Sequence, residues 1–196
     1  MKQKRKKKSH KKNWIRKGLF FLIMVGIGAS MAFFFRQEIY NAIRPWLEER
    51  GVLGEKREVI LYFSDPEGEY LIGEIRKILK REDDEEEAEE TLIELIKGPK
   101  GNLIPTLPSR TKLLALNLDE KGVAKVNFNL ALTRDHPGGS SAEMLTVYSV
   151  VNSLTLNFPE IKRIQFLVEG KQIETIAGHL SLKQPVSSKP DLIKRQ

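Results

Sequence analysis

Leu114-Ala-Leu-Asn-Leu118, Asp119-Glu-Lys-Gly122 and Val123-Ala-Lys-Val-Asn-Phe128 together decide how the chain folds. Leu114, Leu116 and Leu118 alternate with Ala115 and Asn117, and Ala124, Val126 and Phe128 alternate with Lys125, Asn127 and Asn129. A period of two puts each apolar set on one face of a strand. The four residues between the runs end in Gly and suit a turn. The stretch therefore predicts an antiparallel hairpin with one apolar and one wetter face.

Towards the C-terminus, Thr133 to Gly139 reads as an irregular connection. Ser140 or Ser141 can cap a helix whose Met144, Tyr148, Val151, Leu154 and Phe158 share one side, and Pro159 ends it. Ile164, Phe166 and Val168 alternate as a further strand, Glu169-Gly170 turns the chain, and Ile173 to Ala177 returns as a final short strand. Residues 183–196 are polar, with Pro185 and Pro190, and read as a flexible tail.

Towards the N-terminus, Asp83 or Asp84 caps a helix with Leu92, Leu95 and Ile96 as its apolar stripe, stopped by Gly98-Pro99. Val59 to Phe63 is a β-rich run that ends at Asp65-Pro-Glu-Gly68, a turn. Tyr70 to Lys80 fits two periods: Leu71, Ile75 and Ile78 at helical spacing, or Tyr70, Ile72 and Ile78 in a strand paired back across that turn. The expected architecture is α+β, a compact domain of mainly antiparallel strands with two helices.

In front of it, Gly18 to Phe35 is an eighteen-residue run without a charge, roughly 27 Å long as a helix. Residues 1–17 hold ten of the chain's 33 Lys and Arg and no Asp or Glu. Without them the chain is mildly acidic, since Asp and Glu number 26. This pattern predicts one transmembrane signal anchor at 18–35, a basic cytoplasmic tail at 1–17 and an extracytoplasmic remainder, by the excess of positive charge on the cytoplasmic side. Ser30-Met31-Ala32 offers a signal-peptidase site, but Phe33 to Phe35 carry the apolar run past it. The Lys run has topogenic and anionic-lipid roles beside a spanning helix, so no nucleic-acid partner is expected. Residues 36–57, with Pro45, Gly51 and Gly54, read as a juxtamembrane stalk.

Cysteine is absent, which excludes disulfides, thiolate metal sites and a Cys nucleophile. Asp135, His136, Ser140 and Ser141 supply the residue types of a triad but are crowded into one loop, and a triad is defined by geometry. His179 has no companion at ligand spacing. The run from Asp83 to Glu90 lacks the Gly-centred loop of a calcium site. Gly138-Gly139 lacks the Lys of a phosphate loop. No catalytic, cofactor-binding or metal residue is expected.

Leu61-Tyr-Phe63, Leu95-Ile-Lys-Gly-Pro99, Ile104-Pro105 leading to Leu114, and Gly122 to Phe128 follow one another in an order that resembles the GerMN domain family of sporulation and germination proteins. Val151 to Phe158, Ile164 to Gly170 and Gly178-His179 continue it. The resemblance covers residues 58–182. It implies that Tyr70 to Lys80 is a strand, and that the domain is a non-enzymatic assembly or scaffold module in an envelope complex, with an envelope protein or a second copy as partner. A ligand- or peptidoglycan-binding sensor is the alternative, with Thr133 to Gly139 as its mouth. For self-association, acidic Asp84, Glu85, Glu86 and Glu89 stand against basic Lys162, Arg163 and Lys171, a set suited to head-to-tail contact if the two groups lie on different surfaces.

Overall fold

The computed structural model describes residues 54–194 continuously, together with positions 17, 18, 20–22, 24, 25, 35, 38, 41 and 42. The chain divides into two units, Met1–Gly54 and Glu55–Gln196. The expected tail, spanning helix and most of the stalk fall largely outside the described residues. Among the described residues no helix is long and apolar enough to cross a membrane.

The second unit runs β1 (Lys56–Ser64), β2 (Leu71–Leu79), α1 (Asp84–Ile96), β3 (Leu113–Leu118), β4 (Val123–Phe128), α2 (Ala131–Arg134), α3 (Ser140–Thr155), β5 (Arg163–Val168), β6 (Lys171–Gln172) and β7 (Val186–Ser187), then a 3-10 turn at Pro190–Leu192. Strands β1 and β2 form a two-stranded antiparallel sheet. The second sheet has the order β3-β4-β5-β6, with β7 also on β5, and β4 pairs with β5 in parallel. The unit is thus α+β with a mixed second sheet, and α2 and the 3-10 turn are additional to the two expected helices.

Antiparallel neighbours are joined by turns the sequence specifies. Asp65 Oδ1 accepts the amides of Glu69 and Tyr70, closing the β1–β2 hairpin. Asp119 Oδ1 accepts those of Lys121 and Val123 between β3 and β4. A side chain at Gly122 would meet the carbonyl oxygen of Glu160 at 2.7 Å, so only glycine lets β4 lie this close to the start of β5. The parallel β4–β5 pair instead needs a crossover, supplied by α2 and α3.

The core lies between the second sheet, the inner face of β1–β2 and the two long helices. Phe63, Phe128, Phe158 and Phe166 are fully buried in it, and the rings of Phe128 and Phe166 stack with centroids 6.2 Å apart. A second cluster joins Tyr62, Leu71, Leu145 and Leu192.

Several expectations are corrected. Leu114 is 48% exposed: Leu113 pairs with Phe128 and Ala115 with Asn127, so Leu114 is an extra residue that resets the alternation. Helix α3 starts behind Gly139, without a side-chain cap from Ser140 or Ser141. β1 begins at Lys56, inside the expected stalk. Residues 183–194 are not a frayed tail: β7 pairs with β5, Leu192 is buried, and Lys194 N–H donates to Leu71 O at 2.9 Å. Ile173 to Ala177 form no strand: the amides of Ile176 and Ala177 and the Thr175 hydroxyl serve Glu143 instead, as described below.

Candidate functional site

Helix α1 begins at the N-cap Asp83, whose carboxylate accepts the amide of Glu85. Its acidic side chains mostly turn back onto the domain. Glu85 accepts the amide of Leu118 at 2.8 Å and Glu89 that of Leu116 at 3.2 Å, along the outer edge of β3. Glu90 accepts the amide of Leu79 at the end of β2. Glu87 accepts the amide of Arg81 and pairs with the Arg57 guanidinium. Glu94 pairs with the buried Arg76, which also donates to Gly98 O and bonds Glu74. The acidic helix start that the sequence offers for contact is largely a set of fasteners. Burial alone would raise the pKa of Glu74 and of Glu94, but hydrogen bonds override it. Those from Arg76, Lys100 and Gly101 hold Glu74, and those from Lys97 and Arg76 hold Glu94, below the usual carboxylate range.

Helix α3 treats β1 in the same way with neutral groups. Ser153 Oγ accepts the amide of Tyr62 at 3.0 Å, and Ser149 Oγ donates to Tyr62 O at 2.6 Å. Asn157, just past the helix, accepts from Ile60 N–H and donates to Ile60 O. These residues recur every four positions and share one helix face. The sequence does display that spacing, but nothing in it says which strand the polar face meets.

At the other end of α3, Glu143 is fully buried. Its carboxylate accepts the Thr175 hydroxyl and the amides of Ile176, Ala177 and His179 at 2.7 to 2.9 Å. Burial would raise its pKa, but these donors outweigh it and hold it down to about 2. Two amides of the expected strand, those of Ile176 and Ala177, are spent here, and His179 contributes its backbone.

The expected interaction residues are distributed as follows. Glu85 and Glu89 sit against β3, Glu86 is exposed beside Arg81, and Asp84 lines a cleft of about 550 Å³ with Asp119, Glu160 and Lys162. Asp84 and Lys162 therefore face the same cleft within one copy. Arg163 opens β5, and Lys171 pairs with Val168 at its far end, roughly 16 Å away along the strand. The three cations do not form one patch.

Of the triad-like residues, Asp135 and His136 each bond to partners outside the set. Asp135 is held by Arg134 and Arg110, and its pKa is lowered first by the Arg134 hydrogen bond, against burial, and then by the two positive charges. His136 Nδ1 accepts the amide of Gly138, which leaves the proton on Nε2, 3.1 Å from Thr146 Oγ1. Thr146 Oγ1 in turn donates to Thr106 O. Burial lowers the His136 pKa, with Glu143 opposing. The pair thus braces a loop beside an apolar cleft of about 370 Å³ lined by Pro105, Pro108, Pro137 and Leu145.

These features define a small α+β domain in which helix side chains close the sheet edges. Residues 60–174 match the Germane family, described as sporulation and spore germination, and the chain belongs to that family. No curated protein matches it. Among solved structures, it is similar to the first GerMN domain of the sporulation protein GerM from Bacillus subtilis. That match has a TM-score of 0.56 and 21% identity, covering 69% of this chain and 99% of the other. The tandem GerMN domains of the same protein match with a TM-score of 0.53 and 19% identity, over 70% of this chain and 48% of that one. At these identities the likeness concerns the fold. A structure described as a lipoprotein from Clostridium perfringens matches with a TM-score of 0.51 and 25% identity, over 71% of this chain and 93% of that chain.

Proposed function

We propose that this chain is a non-enzymatic docking module, held by a membrane anchor on the outer side of the cytoplasmic membrane, in an envelope assembly that serves spore formation or germination. The family match over residues 60–174 carries the reading. Two features support it. The polar side chains best suited to chemistry, Asp135, His136 and Glu143, are committed to holding loops in place. The uncharged run 18–35 behind ten Lys and Arg has the pattern of an uncleaved signal anchor.

Crosslinking in intact cells followed by capture of the full-length chain tests the docking role, with recovery of a stoichiometric envelope protein as the expected result. Recovery of the chain alone would count against it. Reporter fusions at the C-terminus test the topology: an active cytoplasmic reporter there would reject the orientation.

A second reading, binding of a small molecule or a peptidoglycan fragment, is favoured by the cleft beside Pro137, which adjoins the expected Thr133 to Gly139 mouth. Calorimetry with muropeptides separates the two, since a docking module gives no heat that Ala142→Trp abolishes.

A further inference from the structure

Among the described residues, the sheet edges differ in how they are closed. The β1 edge is covered by Ser153, Asn157 and a bridge from Ser64 to Ile104. Glu85 and Glu89 cover β3, while β6 and β7 cover β5. On β2, Leu71 O takes the Lys194 amide and Leu79 N–H is taken by Glu90. Alternate residues of an antiparallel strand turn their backbone groups the same way. Gly73, Ile75 and Lys77 therefore point N–H and C=O outward with Leu71 and Leu79. No hydrogen bond within the described residues uses these groups. Ile75 is 63% exposed beside its cross-strand neighbour Ile60 at 41%.

We propose that this open window pairs with the same window of a second copy, β2 antiparallel to β2 about a two-fold axis at Ile75. The window is symmetric about Ile75, closed at Leu71 on one side and Leu79 on the other. In that register Ile75, the most exposed apolar residue of the strand, falls opposite itself, while Arg76 and Ile78 stay buried in their own copy, Arg76 on Glu74, Glu94 and Gly98 O. Lys77 falls opposite Gly73, where no side chain crowds it. A lone edge lysine blunts an edge against unrelated strands, but in this register it meets no like charge. The pairing supplies about six backbone hydrogen bonds and an isologous, closed contact. It deepens the docking reading by naming one contact.

Because the chain has no cysteine, Ile75→Cys places a single thiol on each copy. Directly paired residues in a hydrogen-bonded register have Cα atoms about 5.5 Å apart, within disulfide range. Mild oxidation of full-length Ile75→Cys in membranes should give a disulfide dimer at least tenfold faster than Ile93→Cys, which puts an exposed thiol on α1, at a site 45% exposed against 63% at Ile75. In detergent, sedimentation of wild type should show a concentration-dependent dimer, and Ile75→Lys should weaken it at least tenfold with an unchanged unfolding midpoint. Equal crosslinking at both positions, a monomer at every concentration, or an Ile75→Cys adduct only with a different polypeptide would overturn the proposal. A monomer would remove this contact alone, since the docking role rests on the separate recovery of an envelope partner.

Discussion

Helix α1 fastens β3 through the carboxylates of Glu85 and Glu89, whereas helix α3 fastens β1 through the hydroxyls of Ser149 and Ser153 and the amide of Asn157. Both satisfy strand-edge groups that would otherwise face water or a foreign strand. They differ in exposure and in charge. The Ser149 and Ser153 contacts are buried, so losing one leaves an unsatisfied backbone group away from solvent, while the Asn157 contacts are exposed and the α1 contacts partly open, and water can replace them. Glu143 joins the two regimes, being a charged fastener at a fully buried site on the neutral helix.

The largest effect is expected at Glu143. Glu143→Ala removes the acceptor for three amides and a hydroxyl and should cost about 3 to 5 kcal/mol in chemical denaturation. A loss below about 1 kcal/mol would show that the segment from Thr175 to His179 holds itself. The acid limb has a defined sign. The folded-state value is depressed from 4.5 to about 2, so the stabilisation is complete above about pH 4.5 and is lost as pH falls through about 2. The total is about 3 kcal/mol. Asp65 contributes in the same direction: burial would raise its value, but the amides of Tyr70 and Glu69 and the Lys194 ammonium lower it. Unfolding midpoints measured between pH 5 and 2 should fall less steeply for Glu143→Gln than for wild type, and parallel curves would reject the assignment.

On the neutral helix, Asn157→Ala removes both bonds to Ile60 and a third to Ser153 O. A loss of about 1 to 3 kcal/mol is expected, and it should be insensitive to salt because no charge is involved. Dependence of this loss on ionic strength would blur the distinction between the two helices.

What could be read from the sequence follows the range of the interaction. The alternation in Ala124, Val126 and Phe128, and in Ile164, Phe166 and Val168, marks strands because burial is imposed residue by residue along each run. Asp83, Asp65 and Asp119 are legible because their hydrogen bonds close within a few residues. The bond from Ser149 to Tyr62 and the bonds of Glu143 to residues 175–179 join distant stretches of chain, and no local pattern distinguishes such a side chain from a solvated one. The expected strand from Ile173 to Ala177 failed for that reason: the amides of Ile176 and Ala177 and the Thr175 hydroxyl are bound to Glu143 instead. In the same way, the acidic start of α1 suggested a surface for partners, and only the placement of β3 shows that Glu85 and Glu89 are in use.

The smallest effect, and the one that most sharpens the contrast between the helices, concerns Glu85 and Glu89 together. Each bonds one amide of an edge strand at a partly exposed site. The double change Glu85→Ala with Glu89→Ala should therefore cost only about 0.5 to 2 kcal/mol in total, since water re-solvates the freed groups. Global unfolding is a poor detector of such a change. Amide hydrogen exchange is a better one, because opening of the edge exposes Leu116 and Leu118 specifically while the amides of Ile60 and Tyr62 on β1 keep their protection. High salt should reproduce part of this pattern in wild type, as charge-assisted bonds near the surface are screened. It should leave the β1 amides unchanged. Uniform loss of protection across both strands would mean that α1 stabilises the core as a whole through Leu92 and Leu95, with its carboxylates incidental to the edge.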